Sequence, residues 1–151
     1  MNKKEIYDKM FLELDSLLEG ENDDVAIMAS IVCELYHSFS HFDWVGFYRK
    51  TGESTLKIGP YQGTHGCLTI PFSQGVCGKC ATEMKLLNIP DVTKIPYHIA
   101  CSPTTRSEIV IPIMGHDGAL IAVLDIDSNT SHAFDDIDET NLVRTNKYFI
   151  V

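Results

Sequence analysis

A loop thiol, upstream thiols and carboxylates on strands are the groups in this sequence equipped to do chemistry. Cys101 sits in His98-Ile99-Ala100-Cys101-Ser102-Pro103, a stretch that neither helical nor strand periodicity claims. A loop thiol among polar neighbours is open to use in a way that a packed one is not. Cys67 and Cys77 precede it, and Glu108 stands at the mouth of an apolar strand. Asp125-Ile126-Asp127 ends a second apolar strand, and strand alternation turns both carboxylates to one face. Two like charges there cost energy unless a cation or hydrogen-bond donors meet them. The plain alternative is a strand end fraying into solvent; the functional one is a seat for an ammonium group, or an acid with a raised pKa. A nucleophilic thiol, candidate resolving thiols and candidate acids together point to redox chemistry at sulfur.

Three other features carry two readings each. Cys77-Gly78-Lys79-Cys80, at a turn into a short helix, has the form of a dithiol redox motif or of half a zinc site. No βαβ unit surrounds it and no second CxxC or HxxxH follows, although Cys67, Cys101 and His98 could add ligands. The helix N-terminus is expected to lower the pKa of Cys77. Cys33 lies within an apolar helix beside Val32 and is expected to be a small buried hydrophobe. Trp44, Gly46 and Tyr48 share one strand face; aromatics there usually pack a core, but a glycine between them leaves a hollow for a small ligand.

The chain that must position these groups has 151 residues, and positions 1–151 read as a single domain large enough to bury its own core. A net charge of −9 without a Lys/Arg cluster argues against nucleic acid or an anionic membrane as partner. No apolar run approaches the roughly 18 residues that span a bilayer, and charges through positions 1–20 leave no signal-peptide core. Five cysteines are an odd number, too sparse for a secreted disulfide scaffold, so a cytoplasmic location is expected.

Ile6, Met10, Leu14, Leu17 and Leu18 recur at helical spacing up to Gly20. Asn22 or Asp23 then caps a second helix, with Val25, Met28, Ala29, Val32, Leu35, Tyr36 and Phe39 along one face. Strands are expected at 44–48 and 55–58, at Cys67-Leu68-Thr69-Ile70, and at 108–114 and 119–126, the last two joined through Gly115-His116-Asp117-Gly118. Between them lie a short helix through Ala81 and Met84, a brief apolar segment at 86–89, and a loop from Asp91 to Ser102 with room for one helical turn. Asp135 caps a closing helix through Ile137, Leu142 and Val143. Helices at both ends of five or six hairpin-joined strands make an α+β fold, a mostly antiparallel sheet with helices packed on it.

Trp44-Val45-Gly46-Phe47-Tyr48, Gly59-Pro60-Tyr61-Gln62-Gly63, Gly75-Val76-Cys77-Gly78, His98-Ile99-Ala100-Cys101, Ser107-Glu108-Ile109-Val110 and Val123-Leu124-Asp125-Ile126-Asp127 follow one another in an order and spacing that resembles the free methionine-(R)-sulfoxide reductases, which are catalytic GAF domains. The resemblance runs from Trp44 to Asp127, more loosely in the flanking helices. It implies a GAF fold with about six strands, reduction of free methionine-(R)-sulfoxide, and no organic cofactor or metal. On it, Cys101 falls on the catalytic cysteine, Cys67 on its usual disulfide partner and Cys77 on the third family cysteine. Glu108, Asp125 and Asp127 match the pocket carboxylates, and Trp44 and Tyr48 the aromatic wall. Ser102 departs from the family, which usually has an acid there, and so does Cys80, where the family residue is usually small and apolar.

A sulfoxide sulfur is a poor electrophile until its oxygen is protonated or hydrogen-bonded, so the reaction calls for a thiolate and an acid together. Cys101 is expected to attack while Glu108 or Asp127 polarises the oxygen, and Trp44 to hold the S-methyl group. The remaining carboxylates, with Asp91 as a weaker candidate, are expected to hold the substrate ammonium. Cys101 then becomes a sulfenic acid, a nearby thiol closes a disulfide, and a thioredoxin-like dithiol reductant reopens it. Two rival readings remain at this point: a non-catalytic small-molecule-binding GAF module, and a zinc-binding regulatory domain. A homodimer is one expectation that the sequence leaves open.

Overall fold

The computed structural model describes residues 1–99 and 101–149. Two helices lead, α1 (Lys3–Leu17) and α2 (Asp24–Ser38). Asn2 and Glu5 cap α1 reciprocally, and the Asp23 side chain accepts from the Ala26 N–H to start α2. Three strands follow, β1 (Trp44–Lys50), β2 (Thr55–Gln62) and the short β3 (Thr69–Pro71). Helix α3 (Gly75–Glu83) carries the chain to the other sheet edge and β4 (Leu87–Ile89), and a 3-10 turn occupies Val92–Lys94. The long hairpin β5 (Ser107–Met114) and β6 (Leu120–Ser128) fills the middle, and α4 (Asp136–Leu142) with a 3-10 extension (Val143–Tyr148) closes the chain.

The six strands form one antiparallel sheet in the order β3-β2-β1-β6-β5-β4, as the α+β expectation has it. Its two faces follow from alternation along the central strands. Val45 and Phe47 on β1, Ile109, Ile111 and Ile113 on β5, and Ala122, Leu124 and Ile126 on β6 pack with Tyr7, Phe11, Ile31 and Leu35 of α1 and α2. The intervening positions, Trp44, Tyr48, Val110 and Val123, turn to the other face and pack with Val76, Cys77, Cys80 and Ala81 of α3. The first face carries most of the core; each fully buried Leu, Ile or Phe there contributes about 1.5–3 kcal/mol. The second face is only partly covered, and Glu108, Asp125 and Asp127 lie on it.

Several expectations shift. Cys33 is exposed, not buried: α2 inserts Ile27 and Ile31 along with Met28, Val32 and Leu35, which leaves Val25, Ala29 and Cys33 on the solvent side, Val25 at 60% exposure. Leu17 of α1 is likewise 62% exposed, because Tyr7 and Phe11 carry the buried stripe with Met10, Leu14 and Leu18. The closing helix is a short α-helix continued as 3-10, with Ile137 and Val143 exposed and Leu142 buried. The strand expected through Cys67 starts at Thr69 instead, leaving Cys67 in the loop before it.

Candidate functional site

The cavity opens on the sheet face that α3 only partly covers. Trp44, Tyr48, Cys77, His98, Cys101, Glu108, Asp125 and Asp127 are in its wall. Strand register explains why the acids meet. Trp44, Asp127 and Glu108 lie in one row across β1, β6 and β5, and Gly46, Asp125 and Val110 form the next. Each of the three acids occupies an odd-face position of a strand whose alternate residues, Ile109, Leu124 and Ile126, are locked into the main core. A one-residue slip would send them into that core, so the register is strongly held.

Burial sets their protonation. Glu108 is 6% and Asp125 5% exposed, and burial raises the pKa of all three acids, to about 6 for Asp125 and well above the ordinary carboxylate range for Glu108 and Asp127. The negative charge of Asp125 pushes its two neighbours further up. The Glu108 carboxyl and the Cys77 thiol beside Asp125 favour its charged form against the effect of burial. Among the described residues, neither Asp125 Oδ1 nor Asp127 Oδ1 meets a hydrogen-bond donor, although both atoms are buried. Native interiors leave few such atoms, and these two lie on a cavity lined by their own residues. His98 Nε2 stands 3.7 Å from Glu108 Oε1, with burial lowering the imidazole pKa.

The sulfur side is equally defined. Cys67 and Cys101 form a disulfide across 34 positions of sequence, Cα to Cα 5.5 Å, within the usual range for such a bridge. Cys101 lies in the cavity wall. Cys77 is buried and unbridged. Its pKa is raised, against the expectation of a helix-lowered value: burial comes first and the nearby Asp125, Glu108 and Asp127 add to it, outweighing the dipole of α3. Cys80 points away, its Sγ 3.7 Å from the Val110 carbonyl, and burial pushes its thiol up to about 12. With Cys67 and Cys101 joined to each other, neither offers a thiolate to the CxxC pair in this structure.

Trp44 forms one wall. Its Nε1 donates to the Thr64 carbonyl at 2.8 Å, and its ring stacks between Tyr48 and Tyr61, centroids 5.8 and 5.4 Å away. Of the two readings of Gly46, packing holds and a ligand hollow does not: a Cβ there would come within 2.6 Å of Tyr61 Cβ and 2.8 Å of Trp44 Cζ3. The glycine makes room for the Trp44 ring itself. Asp91 lies outside the cavity wall, capping the 3-10 turn through the Thr93 N–H at 3.0 Å and the Thr93 hydroxyl at 2.6 Å. Those contacts, not the cavity, are what its carboxylate meets. Thr105, His65 and Gly75 belong to the wall and escaped sequence reasoning. Only Gly75 carried a signal: it has φ +68° and a Cβ there would come within 2.9 Å of Ile99.

A family model described as GAF domain matches residues 24–145. The chain is 41% identical over 143 residues to GAF domain-containing protein A of Dictyostelium discoideum, covering 95% of this chain and 89% of that protein. It is 36% identical over 153 residues to the free methionine-R-sulfoxide reductase of Saccharomyces cerevisiae, covering 97% of this chain and 85% of the other. The X-ray structure of free methionine-R-sulfoxide reductase from Neisseria meningitidis in complex with its substrate superposes with a TM-score of 0.92 at 37% identity, covering 99% of this chain and 89% of that one. The chain is a GAF domain and belongs to the family of the free methionine-R-sulfoxide reductases.

Proposed function

We propose that this protein reduces free L-methionine-(R)-sulfoxide to methionine, using Cys101 as nucleophile. The observation that carries the reading is a cavity whose wall contains both a disulfide-linked cysteine and two buried carboxylate oxygens without donors. A substrate that brings both an ammonium group and an oxidised sulfur uses both halves. The names of its relatives in yeast, Escherichia coli and Neisseria meningitidis support the same activity.

In the first step the Cys101 thiolate attacks the sulfoxide sulfur while Glu108 and Asp127, kept protonated by burial, hydrogen-bond to and protonate its oxygen. The oxygen passes to Cys101, which becomes a sulfenic acid, and the substrate leaves as the thioether. Asp125, the most acidic of the three, holds the ammonium group, so one charge meets one charge. The Trp44 face sets the S-methyl group and favours the positive charge growing on sulfur. The Cys67 thiol then displaces water from the sulfenic acid and closes the Cys67–Cys101 disulfide. An external dithiol, a thioredoxin-like reductant in this reading, transfers two electrons and restores both thiols.

Single-turnover chemistry separates the two thiols. Cys101→Ser is expected to form no methionine even when enzyme is in excess over sulfoxide. Cys67→Ser is expected to release one methionine per site, leave Cys101 oxidised, and turn over poorly with a dithiol reductant. Methionine formed by Cys101→Ser would remove this assignment.

A further inference from the structure

We propose that Cys77, Asp125 and Glu108 form a binding site for a thiophilic divalent cation, zinc above all, at the base of the cavity, and that this cation and the substrate ammonium exclude one another. One thiol sulfur and one oxygen from each carboxylate all lie within 4.8 Å of one another. They come from three separate elements, α3, β6 and β5, so the cluster is held by tertiary structure. All three side chains are more than nine-tenths buried. The buried Asp125 Oδ1, which has no donor among the described residues, points independently to a missing positive partner.

The donor set selects the cation. Calcium and magnesium take oxygen ligands in larger shells and gain nothing from sulfur. A thiolate with two carboxylates suits zinc and its neighbours in the first transition row. Three protein ligands and one open position is a common zinc arrangement. In the free protein, protons on Glu108 and Cys77 balance the charge; zinc displaces them to solvent, the thiol becoming a zinc-bound thiolate with no change in oxidation state. Because Cys77 is outside the disulfide, the site persists in the oxidised protein, where Cys67 and Cys101 have no thiolate to offer. The competition with substrate rests on the proposed seat of the ammonium at Asp125, whereas zinc retention and the cobalt band are measured without turnover and fail or hold independently of it.

The test uses oxidised protein carrying Cys33→Ser, which removes the exposed Cys33–His37 pair as a rival chelator. It is dialysed against zinc chloride and, separately, titrated with cobalt(II). About one zinc per chain is expected, with proton release and a cobalt–thiolate charge-transfer band. Adding Cys77→Ser is expected to abolish the band and weaken zinc retention at least about tenfold, as is typical when a metal site loses a ligand or its support. Glu108→Gln is expected to weaken zinc retention but keep the band, and free methionine sulfoxide to displace zinc. The thermal transition of each variant reports that it is folded. Zinc retention that is absent, that survives Cys77→Ser in folded protein, or that methionine sulfoxide leaves untouched overturns the proposal.

Discussion

Asp125 is the residue on which the charge balance of the cavity turns. Burial raises its pKa to about 6, and the Glu108 and Cys77 side chains beside it hold it from rising further. One of its oxygens meets no donor among the described residues, and in the proposed reaction a substrate ammonium supplies one. Asp125→Asn keeps the shape and removes the charge, so KM for free sulfoxide should rise roughly 10- to 100-fold, since a hydrogen bond to a charged group is worth about 1.5–3 kcal/mol. Initial-rate kinetics check this; an unchanged KM would move the ammonium to another acid. Asp125 and Asp127 could be set on one face from the sequence, because strand alternation turns an Asp-x-Asp pair the same way, while Glu108 joined them only through the family resemblance. Asp91 could not be separated from them, since a cap and a ligand are the same residue type until the Thr93 contacts are seen.

At the scale of elements, alternation set Trp44 beside Tyr48 on β1 and Asp125 beside Asp127 on β6, but only the strand register brings those faces and Glu108 to one side of the sheet, opposite Val45, Phe47 and Leu124. Helix α2 was less legible because it has more apolar positions than it can bury. Val25, Ala29 and Cys33 recur four residues apart and form a stripe as regular as the one that packs, and only the packed helix selects Ile27 and Ile31. The pairing of Cys67 with Cys101 rests on loops separated by 34 positions, and local pattern holds no record of such a contact. Gly46 kept two readings in the sequence, since a missing side chain looks the same whether ligand or protein fills the space. Gly46→Ala should therefore act through Trp44. The added methyl would clash with the ring and with Tyr61, costing about 1–3 kcal/mol as overpacking does and lowering activity by moving the aromatic wall. A lowered thermal transition with shifted Trp fluorescence is the expected outcome; wild-type values for both would mean the wall does not depend on this glycine.

For the whole molecule, three buried acids with raised pKa values reverse the usual pH trend of stability. Glu108, Asp125 and Asp127 bind protons more tightly folded than unfolded. Stability is then full below the unfolded carboxylate value and declines as pH rises through the folded values. Cys77 and Tyr48, which also face the cluster, stay protonated because their pKa values are raised. His41 and His98 act oppositely below about pH 6.5, since burial lowers their pKa values and unfolding lets them charge. Metal-free protein should melt at a lower temperature near pH 7.5 than near pH 6.5, and Glu108→Gln should flatten that slope. A slope unaffected by Glu108→Gln would place its origin elsewhere.

The central claim joins a thiol, an acid and an ammonium seat in one cavity, and one measurement addresses all three. Racemic free methionine sulfoxide is incubated with reduced protein and a dithiol reductant, beside its N-acetylated form, and the remaining enantiomers are resolved over time. The free (R) form should disappear while the (S) form, whose oxygen is turned away from the acids, remains. The N-acetylated sulfoxide should be nearly inert, because it leaves Asp125 unpaired at a cost of about 1–3 kcal/mol or more. Consumption of both enantiomers, or equal rates on the free and N-acetylated forms, would contradict the account.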